Sequence, residues 1–349
     1  MTSSVLDGAG AETASLTPAL PRFAQIEPIG RCNLACKMCT VNERGDEVAE
    51  MPLARFEQLL DQMPGLQELH LQGLGEPMLH PDFFDMVALA ARRGIRVSAN
   101  TNLTLLTPER ARRCVSSGLA SLSVSLDGAS AEVYQEIRRK ASFAKVLRNL
   151  GRLVDARDEA GSALQVRGVM VLMRSNLEEL PALVRLLHAH RVPQLLVQRL
   201  SNDLRQPELP ARYIPIRNAV DEAELGPADL PRAHEVFTQA RRLARELGMQ
   251  LHLPRLQPRD GGSLPAPDDA PRCRWPWEQL YVTAAGELLP CCMVATADRA
   301  SFGKVFDGDP GDGLLRRWHG APAREFREAL AGSEPPAVCR GCALYHGTF

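Results

Sequence analysis

Short apolar runs alternate with amphipathic segments over the first part of the chain. The apolar runs predict six strands, at Phe23–Pro28, Leu66–Gln72, Ile95–Asn100, Ser121–Leu126, Leu164–Leu172 and Gln194–Leu200. Apolar positions three and four residues apart predict helices between them, at Leu53–Met63, Phe83–Arg93, Pro108–Ser117, Phe143–Ala156 and Leu177–His190. Successive β/α units predict an α/β fold with a parallel sheet, although periodicity does not choose between a doubly wound sheet and a partial barrel.

The alternation ends after Leu200, and two further regions follow. Residues 201–272 form a connecting region rich in proline and charge, with a predicted helix, strand and linker at Ala233–Leu247, Gln250–Leu253 and Pro254–Pro276. Residues 273–349 form a small C-terminal unit, with a predicted hairpin and helix at Gln279–Thr283, Glu287–Pro290 and Pro322–Leu330. Because a unit of this size has only a small hydrophobic core, it needs a further stabilising element such as a metal site. Residues 1–22, ahead of the β/α region 23–200, predict a mobile leader.

Composition and charge exclude several classes of protein. The 349 residues are 45% hydrophobic and 24% charged, as in ordinary globular proteins. Since 41 Lys and Arg face 42 Asp and Glu, no basic excess favours nucleic-acid binding. No apolar stretch approaches the roughly 20 residues that span a bilayer, and the N-terminus lacks a secretory signal. The sequence therefore predicts a cytoplasmic protein with no nucleic-acid or membrane partner.

The cysteines carry the candidate chemistry. There are nine, an odd number, which in a reducing compartment favours metal binding or catalysis over a disulfide framework. Eight of them fall into two groups near the ends of the chain. The ninth, Cys114, lies on a predicted helix and is interpreted as a buried structural thiol.

The N-terminal group comprises Cys32, Cys36 and Cys39, in the pattern C-x3-C-x2-C directly after the first predicted strand. Three interpretations are open. The thiols could be unrelated core residues, ligands of a zinc ion that takes a fourth ligand elsewhere, or ligands of an iron–sulfur cluster with one open iron.

This pattern, at this point in a β/α chain, resembles the signature of the radical S-adenosylmethionine (SAM) superfamily. Later strands end in segments that strengthen the resemblance. Gly73-Leu74-Gly75-Glu76-Pro77 is similar to the family's Gly-Gly-Glu segment, with Leu74 in place of the first paired glycine. Asn100-Thr101-Asn102 follows on the third strand, and Ser123–Gly128 resembles the family's S-x-D-G turn.

The resemblance implies a partial (β/α)6 TIM-type barrel over residues 23–200, with its functional groups at the strand C-termini. It implies a 4Fe-4S cluster on the three cysteines, whose open iron binds SAM. The implied SAM contacts are Gly75, Glu76, Asn102, Ser125, Asp127 and Arg138. The implied chemistry is one-electron cleavage of SAM to a 5′-deoxyadenosyl radical that abstracts a substrate hydrogen, with flavodoxin or ferredoxin as electron donor.

The C-terminal group has the spacing Cys273-x12-Gly286-x4-Cys291, followed by Cys339-x2-Cys342. Four such cysteines are typical of a zinc ribbon. In this context the pattern also resembles the SPASM/twitch extension of radical SAM enzymes, which implies a second, auxiliary 4Fe-4S cluster. No cysteine follows Cys342, so the shorter, single-cluster twitch form is expected.

Three residues beside this group are interpreted separately. Cys292 is either a packed thiol or a competing ligand, because consecutive cysteines rarely both bind one cluster. Trp275 and Trp277 are expected to pack over the cluster rather than to bind substrate.

Two enzymatic functions and one non-catalytic function follow. The leading expectation is a radical SAM oxidoreductase that removes two electrons from a small hydroxylated or aminated metabolite, with the auxiliary cluster as electron acceptor. The architecture resembles that of a cyclitol dehydrogenase of the superfamily. No general base is assigned among Gln198, Arg199 and Arg167. The alternative is a maturase of a precursor peptide, which the 31 residues ahead of Cys32 weaken, since such enzymes often carry a larger leader-binding domain. The third is a non-catalytic metal scaffold.

Overall fold

The computed structural model describes residues 15–45, 48–200, 203–256, 273–307 and 311–346. The strands of its large sheet are β1 (Phe23–Ile26), β2 (Glu68–Leu71), β3 (Arg96–Thr101), β4 (Leu119–Ser125), β5 (Gln165–Leu172), β6 (Gln194–Arg199), β7 (Gln250–His252), β8 (Gln279–Val282), β9 (Glu287–Leu289) and β10 (Gly303–Lys304). All six strands predicted for the first part of the chain are present, with ends that shift by no more than a few residues.

The helices are α1 (Leu53–Asp61), α2 (Phe83–Arg92), α3 (Pro108–Ser116), α4 (Ala131–Ile137), α5 (Phe143–Glu159), α6 (Leu180–Ala189), α7 (Ile214–Ala223), α8 (Leu230–Glu246), α9 (Trp275–Glu278), α10 (Gly313–Trp318), α11 (Ala321–Ala331) and α12 (Ala343–His346). Short 3-10 turns lie at Thr40–Asn42, Pro77–Leu79, Arg174–Glu179, Ala211–Tyr213, Pro227–Asp229 and Ala337–Cys339. The sequence missed five helices, α4, α7, α9, α10 and α12. Helix α7 was missed because its segment is rich in proline and charge, and the helix buries only Ile216 and Val220.

Strands β1 to β10 form one large sheet in the order β10-β9-β8-β1-β2-β3-β4-β5-β6-β7, and the two-residue strands Ala35–Cys36 and Arg138–Arg139 form a separate antiparallel pair. Strands β1 to β6 are parallel and adjacent in chain order, as in a barrel; a doubly wound sheet would reverse its order partway. The expected α/β partial barrel is therefore confirmed. Strand β8 of the C-terminal unit pairs in parallel with β1, so this unit continues the sheet of the barrel.

The two faces of the barrel strands differ in polarity, because side chains alternate along a strand. On β3, Val97 and Ala99 belong to the main hydrophobic core under the helices. Their neighbours Ser98 and Asn100 face the opposite side, the inner face of the barrel, where Asn100 lines a cavity. Polar side chains on this inner face leave room for a site within the barrel.

The described part of the predicted leader is packed against the C-terminal unit. Trp277 Nε1 donates to the Ser15 carbonyl at 2.9 Å, and Trp318 Nε1 donates to the Pro18 carbonyl at 2.9 Å. Buried Arg327 donates to the Leu16 carbonyl at 3.0 Å. Residues 15–18 are thus held by side-chain donors rather than free. The rest of the predicted leader, residues 1–14, and most of the predicted linker, residues 257–272, lie outside the described residues.

Candidate functional site

The three N-terminal cysteines lie on the loop that follows β1. Cys36 belongs to a two-residue antiparallel pairing in which it faces Arg138 across the short ladder. The Lys37 amide extends this pairing by donating to the Ile137 carbonyl at 3.0 Å. A tight turn then brings the Cys39 amide to 3.2 Å from the Cys36 carbonyl. The loop is therefore fixed to the segment after α4, and its cysteines stay close together.

A cavity of about 240 Å³ opens beside these thiols at the carboxyl ends of the barrel strands. It brings together all three cysteines and most of the residues that the sequence singled out for SAM. Its polar lining comprises Cys32, Cys36, Cys39, Gln72, Glu76, Asn100, Thr101, Asn102, Ser125, Arg138 and Gln198. The cavity is a concave, polar pocket at the end of the barrel where enzymes of this architecture place their chemistry.

The glycine of the second predicted motif is required by close packing. A Cβ atom on Gly75 would lie 2.0 Å from the Ile29 carbonyl oxygen, a distance that backbone atoms cannot accept. The neighbouring Glu76 amide donates to the Arg31 carbonyl at 3.0 Å. The loop after β2 is therefore pressed against the start of the cysteine loop, and Gly75 permits this approach.

Glu76 holds the end of β3 in place. Its carboxylate accepts hydrogen bonds from Thr101 Oγ1 at 2.7 Å, from the Asn102 amide at 2.7 Å and from the Met78 amide at 3.2 Å. Burial raises the pKa of Glu76, while these donors oppose the shift. Asn102 in turn directs its side-chain amide to Cys32 Sγ at 3.7 Å and to Asn33 Oδ1 at 3.0 Å.

Asp127 and Arg138 form a buried ion pair. Arg138 Nε and Asp127 Oδ2 lie 2.8 Å apart, but they are not aligned as a hydrogen bond, so charge attraction holds them together. Asp127 Oδ1 accepts from the Val171 amide at 2.7 Å. The pKa of Arg138 is raised: its burial acts against the cation, but Asp127 and the Cys36 sulfur outweigh that effect. Arg138 Nη1 also lies 3.9 Å from Cys36 Sγ.

The remaining sequence candidates occupy different places. Ser125, at the end of β4, and Gln198, on β6, line the cavity. Arg199 instead donates to the carbonyls of Leu256 at 2.9 Å and Leu225 at 2.6 Å, which commits it to holding the connecting region. Arg167 donates to a serine hydroxyl on β4 at 2.7 Å. Neither arginine is placed as a general base.

The three thiols fit an iron–sulfur cluster. Burial raises the pKa values of Cys32 and Cys36 and raises that of Cys39 to about 12. Thiolates in this environment need a compensating positive centre, which iron supplies. Donors already face the sulfurs: the Leu34 amide lies 3.4 Å from Cys32 Sγ, beside the Asn102 amide. Hydrogen bonds to cluster sulfurs are usual in such sites.

The C-terminal thiols also gather in one place. Cys339 and Cys342 are buried, and burial is the main cause that raises their pKa values to about 12 and about 11. Burial raises the pKa values of Cys291 and Cys292, and repulsion from Cys273 and Cys342 adds to both shifts. The same two thiols add to the shift of Cys339, so all five thiols are neighbours. We call Cys273, Cys291, Cys339 and Cys342 the auxiliary cysteines.

Two tryptophans pack beside the auxiliary cysteines. Trp275 packs in an apolar cluster with Cys273 and Cys291, and Trp277 packs in another with Cys339.

Among the described residues, no group of three His, Cys, Asp or Glu side chains lies close enough together to hold a single metal ion. Cys114 is fully buried in the core, as interpreted from the sequence.

Sequence reasoning missed the residues that join the connecting region to the loop of the auxiliary cysteines. Arg299 pairs with Asp203 at 2.8 Å, and it also donates to the Val294 carbonyl at 3.1 Å in the loop after Cys292. The Tyr213 hydroxyl lies 3.0 Å from Asp298 Oδ1. These pairs link the segment after β6 to the auxiliary loop. Their partners are some 85 to 96 positions apart along the chain, so no local pattern could reveal them.

A buried carboxylate at the end of β1 makes a second link. Glu27 is inaccessible to solvent and lies 3.3 Å from Arg44, whose side chain is also buried. Glu27 accepts the Leu74 amide at 2.9 Å and the Ala284 amide at 3.2 Å. It therefore holds both the loop before Gly75 and the hairpin turn of the C-terminal unit.

Two protein-family models match the chain, one in its N-terminal part and one in its C-terminal part. A family model described as the radical SAM superfamily matches residues 26–187, and one described as an iron–sulfur cluster-binding domain (SPASM) matches residues 273–343. Together they cover about two thirds of the chain. No helix in the described part of the chain is long and apolar enough to cross a membrane.

Curated relatives match about half of the chain or less. The tungsten-containing aldehyde ferredoxin oxidoreductase cofactor-modifying protein of Pyrococcus furiosus is 32% identical over 188 residues, 51% of this chain and 51% of that protein. Mycofactocin maturase MftC of Mycobacterium tuberculosis is 33% identical over 150 residues, 43% of this chain and 37% of that protein. The chain thus spans about half the length of these relatives or less.

Solved structures share the fold. Streptococcus suis SuiB bound to its precursor peptide SuiA superposes with a TM-score of 0.68 at 17% identity, covering 94% of this chain and 71% of SuiB. The protein anSMEcpe bound to AdoMet and a Cp18Cys peptide superposes with a TM-score of 0.62 at 15% identity, covering 94% of this chain and 88% of that protein.

Proposed function

The chain belongs to the radical SAM superfamily and carries a SPASM-type iron–sulfur domain, and from this premise we propose that it is a maturase, which removes a hydrogen atom from a ribosomally made peptide or protein in order to modify it. The observation that carries the proposal is the cavity of about 240 Å³, which unites three thiols with a polar wall at the open end of the barrel.

The leading expectation from the sequence, oxidation of a small metabolite, finds no support among the relatives. The alternative fits them better, since several curated relatives are mycofactocin maturases. The fold is also one that accommodates a precursor peptide in SuiB. The substrate class is therefore proposed as a peptide segment, and oxidoreductase chemistry on that segment stays a prediction.

Each candidate residue has a place in this proposal. Cys32, Cys36 and Cys39 hold a 4Fe-4S cluster. The bound cluster and SAM together supply one-electron cleavage of SAM and removal of one substrate hydrogen atom, with methionine and 5′-deoxyadenosine as products. A flavodoxin or ferredoxin provides the electron.

The cavity wall positions SAM. The Gly75 backbone and the Ser125 hydroxyl lie at the cavity wall. The side-chain amide of Asn102 faces Cys32 Sγ and orients that part of the cysteine loop. Glu76 and Asp127 act on SAM mainly through their neighbours, because both carboxylates already accept donors from the chain itself. The auxiliary cysteines hold the second cluster, which relays an electron to or from the substrate.

The substrate class is tested by isotope transfer. Cells of the source species are grown in D₂O, and their extract is separated into a peptide fraction and a small-metabolite fraction. Each fraction is incubated anaerobically with reconstituted, reduced enzyme and SAM, and 5′-deoxyadenosine is analysed by mass spectrometry. Deuterium in 5′-deoxyadenosine from the peptide fraction supports the proposal, because the label arrives with the abstracted atom.

Two variants serve as controls. Cys32→Ala is expected to abolish 5′-deoxyadenosine formation, whereas Cys114→Ala, which alters a buried thiol far from the cavity lining, is expected to leave it intact. Label from the small-metabolite fraction alone would restore the dehydrogenase interpretation. Label from neither fraction, with SAM cleavage intact, would contradict both.

A further inference from the structure

Among the hydrogen bonds of the described residues, Cys36 is the N-terminal thiol that faces a charged donor. Arg138 Nη1 lies 3.9 Å from Cys36 Sγ, within hydrogen-bonding range for sulfur. Cys32 has only neutral donors, the Asn102 side chain at 3.7 Å and the Leu34 amide at 3.4 Å. The site is therefore electrically asymmetric.

The position of Arg138 is fixed by the backbone on one side and by a carboxylate on the other. The antiparallel pairing places Arg138 directly across from Cys36. Asp127, which is inaccessible to solvent, holds the guanidinium at 2.8 Å. Asp127 is itself held by the Val171 amide at 2.7 Å, and the Asp127 carbonyl accepts from Asn176 Nδ2 at 3.0 Å. A side chain so restrained cannot move away when the charge at Cys36 changes.

From this arrangement we propose that Arg138 is a positioning residue that raises the reduction potential of the cluster on Cys32, Cys36 and Cys39, and that Asp127 limits the rise. Reduction adds negative charge to the cluster and its thiolates, and a buried cation with an N–H directed at one sulfur stabilises that charge. The nearby Asp127 carboxylate acts in the opposite sense. The inference rests on the proposed function only in that the cluster occupies these three cysteines.

The two members of the ion pair give a test with opposite signs. In reconstituted enzyme without SAM, Arg138→Gln is expected to lower the midpoint potential of this cluster by about 59 mV, a tenfold change in the one-electron equilibrium. Asp127→Asn is expected to raise the potential. Arg138→Lys keeps the positive charge but lacks the planar guanidinium with its paired N–H groups. Its midpoint potential is expected to lie close to the wild-type value.

The measurement follows the electron paramagnetic resonance signal as a function of applied potential. The signal of the auxiliary cluster is identified in Cys32→Ala and subtracted. Arg139→Gln is the matched control, because Arg139 is the next residue of the same short strand, is exposed and faces Ala35. Its potential is expected to equal that of the wild type.

The outcomes separate the inference from the proposed function. If wild-type protein shows no SAM-sensitive signal, the cluster site itself is wrong. If that signal is present but Arg138→Gln and Asp127→Asn leave the potential unchanged or move it in one direction, the inference is overturned. If Arg138→Gln does not load iron, Arg138→Lys and Asp127→Asn decide alone: a raised potential in Asp127→Asn supports the inference, and wild-type potentials in both overturn it.

Discussion

His70 lies on β2 inside the barrel, and it predicts a specific acid sensitivity. Its Nδ1 lies 2.9 Å from Ser98 Oγ, and the other ring nitrogen faces the Gln72 side chain. Burial lowers the pKa of His70 to about 4, against an ordinary value near 6.5. A histidine with a depressed pKa binds fewer protons when folded than when unfolded. Stability should therefore be lost as the pH falls from about 6.5 towards about 4.

The size of this loss follows from the two pKa values. Linkage between about 6.5 unfolded and about 4 folded gives a loss of about 1.3 kcal/mol between roughly pH 7.5 and pH 5.5. His70 keeps partial solvent contact, so screening makes this figure an upper limit. His70→Asn removes the titrating ring and keeps a polar side chain of similar reach.

The assay is anaerobic urea unfolding of cluster-loaded protein at the two pH values, followed by tryptophan fluorescence and circular dichroism. Wild type is expected to lose up to about 1.3 kcal/mol more than His70→Asn over this interval. Acid effects on the clusters and on other carboxylates are common to both proteins and cancel in the difference. Equal losses in the two proteins would refute the assignment of a neutral, buried His70.

Three other expectations follow from the geometry. Gly75→Ala places a methyl group 2.0 Å from a backbone oxygen and should prevent cluster loading at the N-terminal site, whereas Gly65→Ala, which meets nothing within 4 Å, should leave the iron content unchanged. Alanine at all four auxiliary cysteines should reduce the iron content of reconstituted protein from about eight to about four per chain; loss of zinc, with iron constant, would identify a structural zinc unit. Glu27→Gln removes the buried carboxylate charge that faces Arg44 and accepts the Leu74 and Ala284 amides, and should lower the free energy of unfolding by about 3 kcal/mol; a change below about 1 kcal/mol would show that this carboxylate does not stabilise the fold.

The elements of the barrel could be predicted because each carries its own periodicity. Strand β5 was expected at Leu164–Leu172 and lies at Gln165–Leu172, and α3 was expected at Pro108–Ser117 and lies at Pro108–Ser116. Both cysteine groups were also visible, since ligand spacing is local. Helix α7 escaped detection because its two buried residues give too weak a pattern in a segment of prolines and charges.

The partners of the site residues could not be predicted in the same way. The motifs suggested separate SAM contacts for Asp127 and Arg138, whereas the structure pairs the two side chains at 2.8 Å. Arg199 followed a strand end, as a catalytic residue would, but its guanidinium is committed to two backbone carbonyls. Such choices depend on which groups the fold brings together, and a single sequence contains no signal for them.

The C-terminal unit is built into the barrel, and this bears on the electron relay that we propose for it. Strand β8 pairs with β1 along four consecutive residue pairs, so the unit shares the backbone hydrogen bonds of the sheet. Glu27, at the end of β1, accepts both the Leu74 amide beside the SAM cavity and the Ala284 amide in the hairpin turn. Because one buried carboxylate holds both loops, neither can shift without breaking a hydrogen bond to a charged group, which is worth about 1.5–3 kcal/mol. The proposed electron transfer between clusters needs a fixed separation between the two cysteine sites. Glu27, which contacts neither set of thiols, serves that proposal by holding both loops in place.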